Sequence, residues 1–580
     1  MIKVNESYKK VIESSNRPKS YFLVKYGVYN KAAKSSISNV DMDNSQSFSN
    51  SNKVYNGIKT TNDKYITCEP DRVILDGSFN FVRDKNSPSP NENIAYWSSI
   101  LSEENGEIGN TPYLTLEFNQ EIEFSELTLY FQEVCSAFIA RYYLNDTLVA
   151  TREVSNNESL IVETSGNIVV SKYNKIEIEF LATKEPYRYV KLNEIDFGRY
   201  LEFTQEEIGD FDIIEEVSID SSELSSNSFN LRIKNFNNKF DLLNPNNKLS
   251  SLQERQSLQI YHYLKVNNNF QEIPLGSFLV KNFNTRNKEL NIEAYDDIYF
   301  ENNKYYGSNF YLNTSIKEIL LDLFNYFDYG NYILDSSLDD ITLSGYIKPM
   351  TFREALRKIA EAGCCIVKKE RTGQTKVLKV KDTGFIDKSF KGNIVFKPNI
   401  EKNSFNRNLN ISSYEYTARK EKETIYKQSL KAGTYTISYM SYPIVSGSLQ
   451  KSASTSSNNY NITKEYATSC VIEVLEDCLV ELIANVYETE ETITQITDLD
   501  NSNKAIDVNN TLISDSNLED VINWKLSRKE IKYSLETILI PYIETGDKCV
   551  YVNPYTKQNM PFIPTRIEFS NSLKQIIEGE

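Results

Sequence analysis

Residues 229–234 read FNLRIK, residues 258–264 LQIYHYL, residues 274–280 PLGSFLV and residues 290–300 LNIEAYDDIYF. Phe229, Leu231 and Ile233 recur at every second position with Asn230, Arg232 and Lys234 between them, the period of a half-buried strand. Asn235 to Asn247 interrupt it with a run of Asn and one Pro, which steers the backbone through turns. Leu258, Ile260, His262 and Leu264 resume the alternation. Pro274-Leu275-Gly276 turns the chain into Phe278 and Val280, and Leu290, Ile292 and Ala294 lead to Tyr295-Asp296-Asp297. The spacing predicts a compact antiparallel β unit.

This order of features resembles the tail hub proteins of bacteriophages and phage-tail-like particles. The resemblance implies two small barrels related to the tail-tube subunit, with three chains forming a ring that continues the tube. Downstream the period lengthens to about 3.6. Ser315 to Glu318 has capping-box spacing ahead of Leu320, Leu321, Leu323 and Phe324, and TFREALRKIAEAG (351–363) predicts a second helix ending at Gly363. Cys365–Lys369 and Lys376–Val380 flank Arg371-Thr372-Gly373-Gln374 as a hairpin. Helix, helix, hairpin is the order of the small α+β domain between the two hub barrels. Beyond it, Tyr435, Ile437 and Tyr439 alternate as a strand, and Ser452 to Asn459 reads as a solvated loop tip. A last helix is predicted over Leu518–Arg528, followed by strands through Ile531, Tyr533 and Leu535, ETGDKCVYV and PTRIEFSNSLKQIIEGE. The Gly546-Asp547 turn resembles the close of the second hub barrel, with Gly546 there for backbone geometry and Asp547 for a turn bond.

Toward the N-terminus a short polar helix and a strand over Tyr21–Tyr29 are expected. Residues 34–53, rich in Ser and Asn, read as a linker or mobile arm. From Lys53 to Tyr200 short alternating strands (Leu114, Leu116, Phe118; Leu127, Leu129, Phe131; Ile176, Ile178, Phe180; Val190, Leu192) and a hairpin turn at Asn145-Asp146 predict a sandwich or jelly roll. RVILDGSFNFV (72–82), YWSS (96–99), TPYLTLEFNQEIEFSELTLYF (111–131) and YRYVKLNEIDFG (187–198) resemble discoidin-like modules, also found as coagulation-factor C domains. Many such modules bind sugars or lipid head groups. Trp97 is the residue that could stack on a sugar, but in that family's pattern it packs inside the sandwich. No binding loop can be named from the sequence.

The fold class expected is therefore mainly β and multidomain. Its parts are an N-terminal arm and linker (1–52), a discoidin-like β-sandwich (53–205), a first tail-tube-like hub β-barrel (206–300), a small α+β domain (301–385), a β-rich domain (386–510), and the helix and closing strands of a second hub barrel (511–580). A length of 580 residues calls for about four cores. The 39 Tyr and 29 Phe suit sheets and contact surfaces. A net charge of −16 excludes a cationic nucleic-acid footprint. The seven Cys hold no CxxC pair, so neither a disulfide framework nor a zinc spacing is expected, which fits a reducing cytoplasm. The N-terminal residues have no apolar core for a signal peptide and no run is long enough to span a membrane.

Catalytic constellations are scarce. One His cannot build an HExxH site or a three-His zinc site, and His262 lies in phase with Leu258 and Ile260 as a core or interface residue. Asp296-Asp297 and Asp339-Asp340 are adjacent, which in a strand sends them to opposite faces and in a loop leaves them solvated. Asp498, Asp500 and Ser502 have calcium-loop spacing, but Asn503 stands where Gly is needed and Asn509 where Glu is needed. There is no phosphate-binding glycine loop. No catalytic, cofactor or metal residues are expected, and the chain reads as a structural protein rather than an enzyme.

The resemblance implies a homotrimer at the tip or baseplate of a virion or tail-like particle, made in the bacterial host cytoplasm. Its partners would be the tail tube protein, a spike or tip protein and other baseplate proteins. Two other readings stay open: a tail adsorption protein binding host cell-wall polysaccharide through the jelly roll, and a tail-associated cell-wall hydrolase.

Overall fold

The computed structural model describes residues 2–14, 17–29, 31–55, 64–75, 79–82, 94–122, 127–164, 172–234, 254–267, 269–286, 288–380, 386–391, 394–402, 407–452, 459–497, 504–528 and 531–580. The chain divides into two compact units. One comprises Met1–Val24, Phe203–Asn238 and Leu258–Glu580, the other Lys25–Glu202 and Lys239–Ser257.

The second unit is a two-sheet sandwich. One sheet runs in the order Ile37–Met42, Tyr113–Ile122, Tyr173–Thr183, Cys135–Leu144, Thr147–Val154, and the other pairs Lys191–Phe203 with Leu127–Phe131 and then Ile161–Glu163. Alternate residues from both sheets fill one core: Leu114, Leu116, Ile176 and Ile178 from the first, Leu127, Leu129, Leu192 and Ile195 from the second. Asn145 (φ 47°) and Asp146 (φ 62°) make the hairpin turn expected of them, since both central residues of a type I′ turn need the left-handed region. Residues 34–53 are not the linker their composition suggests. Ile37–Met42 is an edge strand paired antiparallel with Tyr113–Ile122, with Asn39 opposite Glu117 and Val40 opposite Leu116. Backbone pairing and the packing of Ile37, Val40 and Met42 on the sandwich core hold this strand in place within a Ser/Asn-rich stretch.

The first unit carries the stretch that opened the sequence analysis. Helix α1 is Glu6–Ile12. The strands are β1 (Ile208–Glu216), β2 (Ser228–Lys234), β3 (Ser257–Val266), β4 (Asn269–Arg286), β5 (Glu289–Tyr295), β6 (Val395–Lys402), β7 (Leu409–Leu430), β8 (Cys478–Ile496), β9 (Ile531–Ile538), β10 (Pro564–Ser570) and β11 (Lys574–Gly579). Nine of them form one sheet in the order β6-β9-β11-β10-β1-β2-β5-β4-β3. Phe229, Leu231 and Ile233 are buried as their alternation requires, opposite Ala294, Ile292 and Leu290 of β5. Past β3 the sheet continues to Ser20–Tyr29. The two barrels expected from the resemblance are not closed by strand pairing among the described residues.

Behind the sheet segments come α2 (Ile316–Tyr326) and α3 (Phe352–Ala362), which share a core through Ile319, Leu320, Leu323, Leu356 and Ile359. Thr351 and Glu354 form the complete reciprocal capping box at α3, whereas at α2 Ser315 accepts only the Lys317 N–H. The predicted hairpin forms from Ile366–Lys369 and Thr375–Leu378, with Gly373 at φ +94° in the turn. The last helix, α4, is Leu518–Leu526. Gly345 closes this domain against its neighbour: its φ is +127°, and a Cβ there would lie 2.0 Å from the Thr511 carbonyl oxygen. Gly345→Ala is therefore expected to destabilise the chain by about 3 kcal/mol, through both backbone strain and a clash with main chain. Urea unfolding of the variant beside the parent chain measures it.

Candidate assembly joint and surfaces

The hairpin turn that the sequence marks only as a turn delivers Arg371 into the interior. Arg371 is 2% exposed and its guanidinium forks onto the Glu215 carboxylate of β1, with Nη2 to Oε2 at 3.0 Å and Nε to Oε1. Nη1 donates to the Pro541 carbonyl, and the Arg371 backbone N–H donates to Glu544 Oε1 at 3.1 Å. Lys368, on the strand leading into the turn, donates to the Thr545 carbonyl at 3.1 Å and lies 3.9 Å from Glu544 and 3.7 Å from Asp547. Three distant stretches, 208–216, 366–374 and 541–547, are thus bolted together by buried charge. Gly546 (φ +80°) and Asp547, whose carboxylate accepts the Glu544 N–H at 2.9 Å, make the turn the sequence predicts.

The electrostatics follow from burial. Burial raises the Glu215 carboxyl despite Arg371. At Glu544 burial pushes the same way, but Lys368 and other positive charge outweigh it and bring the carboxyl down to about 2.

The Asp296-Asp297 pair is neither split across a strand nor solvated. Asp296 is 1% exposed and caps a short 3-10 turn over Asp297–Phe300, accepting N–H bonds from Asn227 at 2.6 Å and Tyr299 at 3.2 Å. Burial, then the neighbouring Asp297 charge, raise its carboxyl to about 6. Asp297 pairs with Lys369 Nζ at 2.5 Å and accepts from the Tyr329 hydroxyl at 3.2 Å. Asp339, by contrast, is an exposed partner of Lys317, as a solvated acid should be.

His262 is fully buried in β3, as its phase predicts. Its Nδ1 meets the Tyr8 hydroxyl of α1 at 3.2 Å, Nε2 has no partner among the described residues, and burial lowers its pKa to about 4. It belongs to the packing of α1 on the sheet. Trp97 is also buried, against Tyr65, with Lys191 Nζ 4.6 Å from its ring centroid, so it offers no face to a sugar. Cys135, Cys365 and Cys470 are buried thiols whose pKa burial raises to about 12. Among the described residues no three His, Cys, Asp or Glu side chains gather as a metal site. Asp498, Asp500, Ser502 and Asn503 of the calcium-like spacing lie outside the described residues, as do residues 235–247, 453–458 of the loop tip and 76–78 of the discoidin-like run.

The other feature is the sheet's outward face. Alternate residues along β1, β9, β10 and β11 are charged and paired, across strands (Arg566 with Glu216, Lys532 with Glu578 at 3.2 Å, Lys574 with Glu536 at 2.9 Å) and along β10 (Arg566 with Glu568 at 3.0 Å). The opposite face carries buried Phe211, Ile213, Leu535, Ile567, Phe569 and Ile577. One face is core and the other is built for water.

No family model matches the chain, and no curated protein matches it. The solved structures it is similar to include phage tail proteins. The 43 kDa tail protein of prophage MuSo2 from Shewanella oneidensis is 10% identical, over 66% of this chain and 95% of that one, at a TM-score of 0.36. A tail protein from Neisseria meningitidis MC58 is 10% identical, over 65% and 93%, at 0.38. The prophage tail protein gp18 from Listeria monocytogenes is 10% identical, over 66% and 91%, at 0.30. At these identities and scores the likeness carries no argument about function.

Two outcomes test the joint. Arg371→Met leaves Glu215 as an uncompensated buried charge and is expected to cost about 3–5 kcal/mol, part of which Arg371→Met with Glu215→Leu recovers; denaturant titration of the three chains reads both. At Asp296 the folded-state pKa of about 6 lies above its ordinary value, so the stability that comes with the proton is present at low pH and lost as pH rises through 6. Asp296→Asn removes the charge and leaves one oxygen where two N–H groups are now accepted. It is expected to flatten the pH dependence between pH 4 and 7, measured by unfolding at both ends.

Proposed function

We propose that this chain is a structural hub subunit of a phage tail or phage-tail-like particle. It would assemble as a homotrimer at the distal end of the tail and link the tail tube to the spike or tip. The observation that carries the reading is the pairing of β1 with β10, where Asp212 to Glu216 lie opposite Ser570 to Arg566. It joins the two tube-like strand sets, more than 300 residues apart in sequence, edge to edge in one sheet. Two such sets fused in one chain let three chains supply six sets to a ring, and the polar outward face suits the wall of a water-filled channel. The order of the β2–β5 strands and the helix, helix, hairpin domain, resembling tail hubs, supports the same reading. The buried ionic joint gives the rigidity that a load-bearing coupling needs. No chemical step is part of it; the mechanism is assembly.

Light scattering on the purified chain tests this directly. The expected mass is about three times 66.9 kDa. A mass of 66.9 kDa at every concentration, together with absence of the chain from purified tails, would overturn the reading.

A further inference from the structure

The paired strands β7 and β8 are 22 and 19 residues long and run antiparallel from Leu409 opposite Ile496 to Leu430 opposite Cys478. Other segments pair with their ends. Ile506–Asn509 lies along Leu409–Ser412, the Tyr414 N–H donates to the Ile513 carbonyl, and the Tyr487 N–H donates to the Pro443 carbonyl. Between these, residues 415–417 and 488–490 have only each other as strand partners among the described residues.

The two faces of this free stretch differ. On one, Tyr416 and Tyr487 pack against Phe310, the second stacked at 3.9 Å. On the other, Glu415 stands directly opposite Glu490 and Thr417 opposite Glu488, all exposed, with the Asp515 carboxylate close enough to Glu415 to raise its pKa. Like charges directly across a strand pair oppose pairing. No Lys or Arg makes an ion pair with Glu415, Glu490 or Asp515 among the described residues.

Next along the ribbon the register slips between Ala418 and Lys422, so Arg419, Lys420 and Glu421 bulge out. Arg419 is engaged by Glu423 at 3.8 Å and Glu488 at 3.5 Å. Lys420 and Lys422 are exposed and make no ion pair among the described residues. Lys422 lies opposite Asn485, which the alternation along β8 puts on the face away from Glu488 and Glu490.

We infer that this ribbon is a contact between copies of the chain, the acidic face of one copy receiving Lys420 and Lys422 of the next. The inference rests on the ring reading above and names one of its interfaces. Charge complementarity selects the occupant: each copy holds uncompensated acids and uncompensated lysines as two separate patches. A contact in which the acidic patch of one copy meets the lysine patch of the next is heterologous, and it gives a ring where the rotation closes.

The test is charge reversal in the full chain, read by light scattering over a concentration series. Glu415→Lys with Glu490→Lys, and separately Lys420→Glu with Lys422→Glu, are each expected to weaken association about tenfold or more. The chain carrying all four reversals is expected to return to within about threefold of the parent. Salt of about 0.5 M, which shortens the screening length to a few Å, is expected to weaken the parent's association. All sites are exposed, and circular dichroism checks that each variant is folded. If the reversed chains associate as the parent does, or the fourfold chain fails to recover, the ribbon contact is overturned while the hub reading stands. A parent chain that never associates overturns the ribbon contact, and with absence of the chain from purified tails it overturns the hub reading as well.

Discussion

The bidentate pair of Arg371 with Glu215 is the constraint on which the rest of the first unit depends. Both groups are almost wholly desolvated, and a buried pair recovers that cost only when its geometry is good and its remaining hydrogen bonds are met. Here they are met by the Pro541 carbonyl and, around them, by Lys368, Glu544 and Asp547. A hydrophobic plug could hold the same three segments as tightly, but it would tolerate sliding. A forked guanidinium on a carboxylate fixes both distance and plane.

The sheet shows how such a joint can be combined with a wet surface. Its inner face is continuous core and its outer face is laced by cross-strand ion pairs, so the polar side needs no partner to be satisfied. The ribbon is the exception. There the acids Glu415 and Glu490 face each other with no cation, while Lys420 and Lys422 stand free a few residues along. Like charges set directly across a strand pair, with free lysines a few residues along, point to this ribbon as a place that meets another molecule.

Local structure was legible where periodicity and caps agree. The β2 and β5 alternation, the Thr351 box, the Asn145-Asp146 turn and the 366–378 hairpin could all be read from residue types, because each depends on neighbours within a few positions. What could not be read depends on long-range packing. Lys368 and Lys369 lie on a strand whose every residue is buried, and nothing in the run VKKERTG tells which lysine meets which acid. Asp296-Asp297 looked like a solvated or split pair because the capped 3-10 turn that buries the first acid is visible only once Asn227 is brought beside it. Ile37–Met42 looked like linker because its three apolar residues, Ile37, Val40 and Met42, are spread among Ser, Asn and Asp, and their core is supplied by distant strands.

The same logic bears on how the sandwich unit enters the chain. The residues before it (to Val24) and after it (from Phe203) belong to one unit, and the Phe22 N–H donates to the Gln205 side chain at 3.1 Å. The chain therefore leaves and re-enters the first unit at neighbouring points. A module whose two ends meet can be inserted without opening the host sheet, because the loop-closure cost is borne by the module's own fold. By that argument Lys25–Glu202 is an insertion in the first unit rather than an appendage to it, with Lys239–Ser257 a second, shorter excursion. The ionic joint and the β1 to β10 pairing, by contrast, lie within the first unit itself.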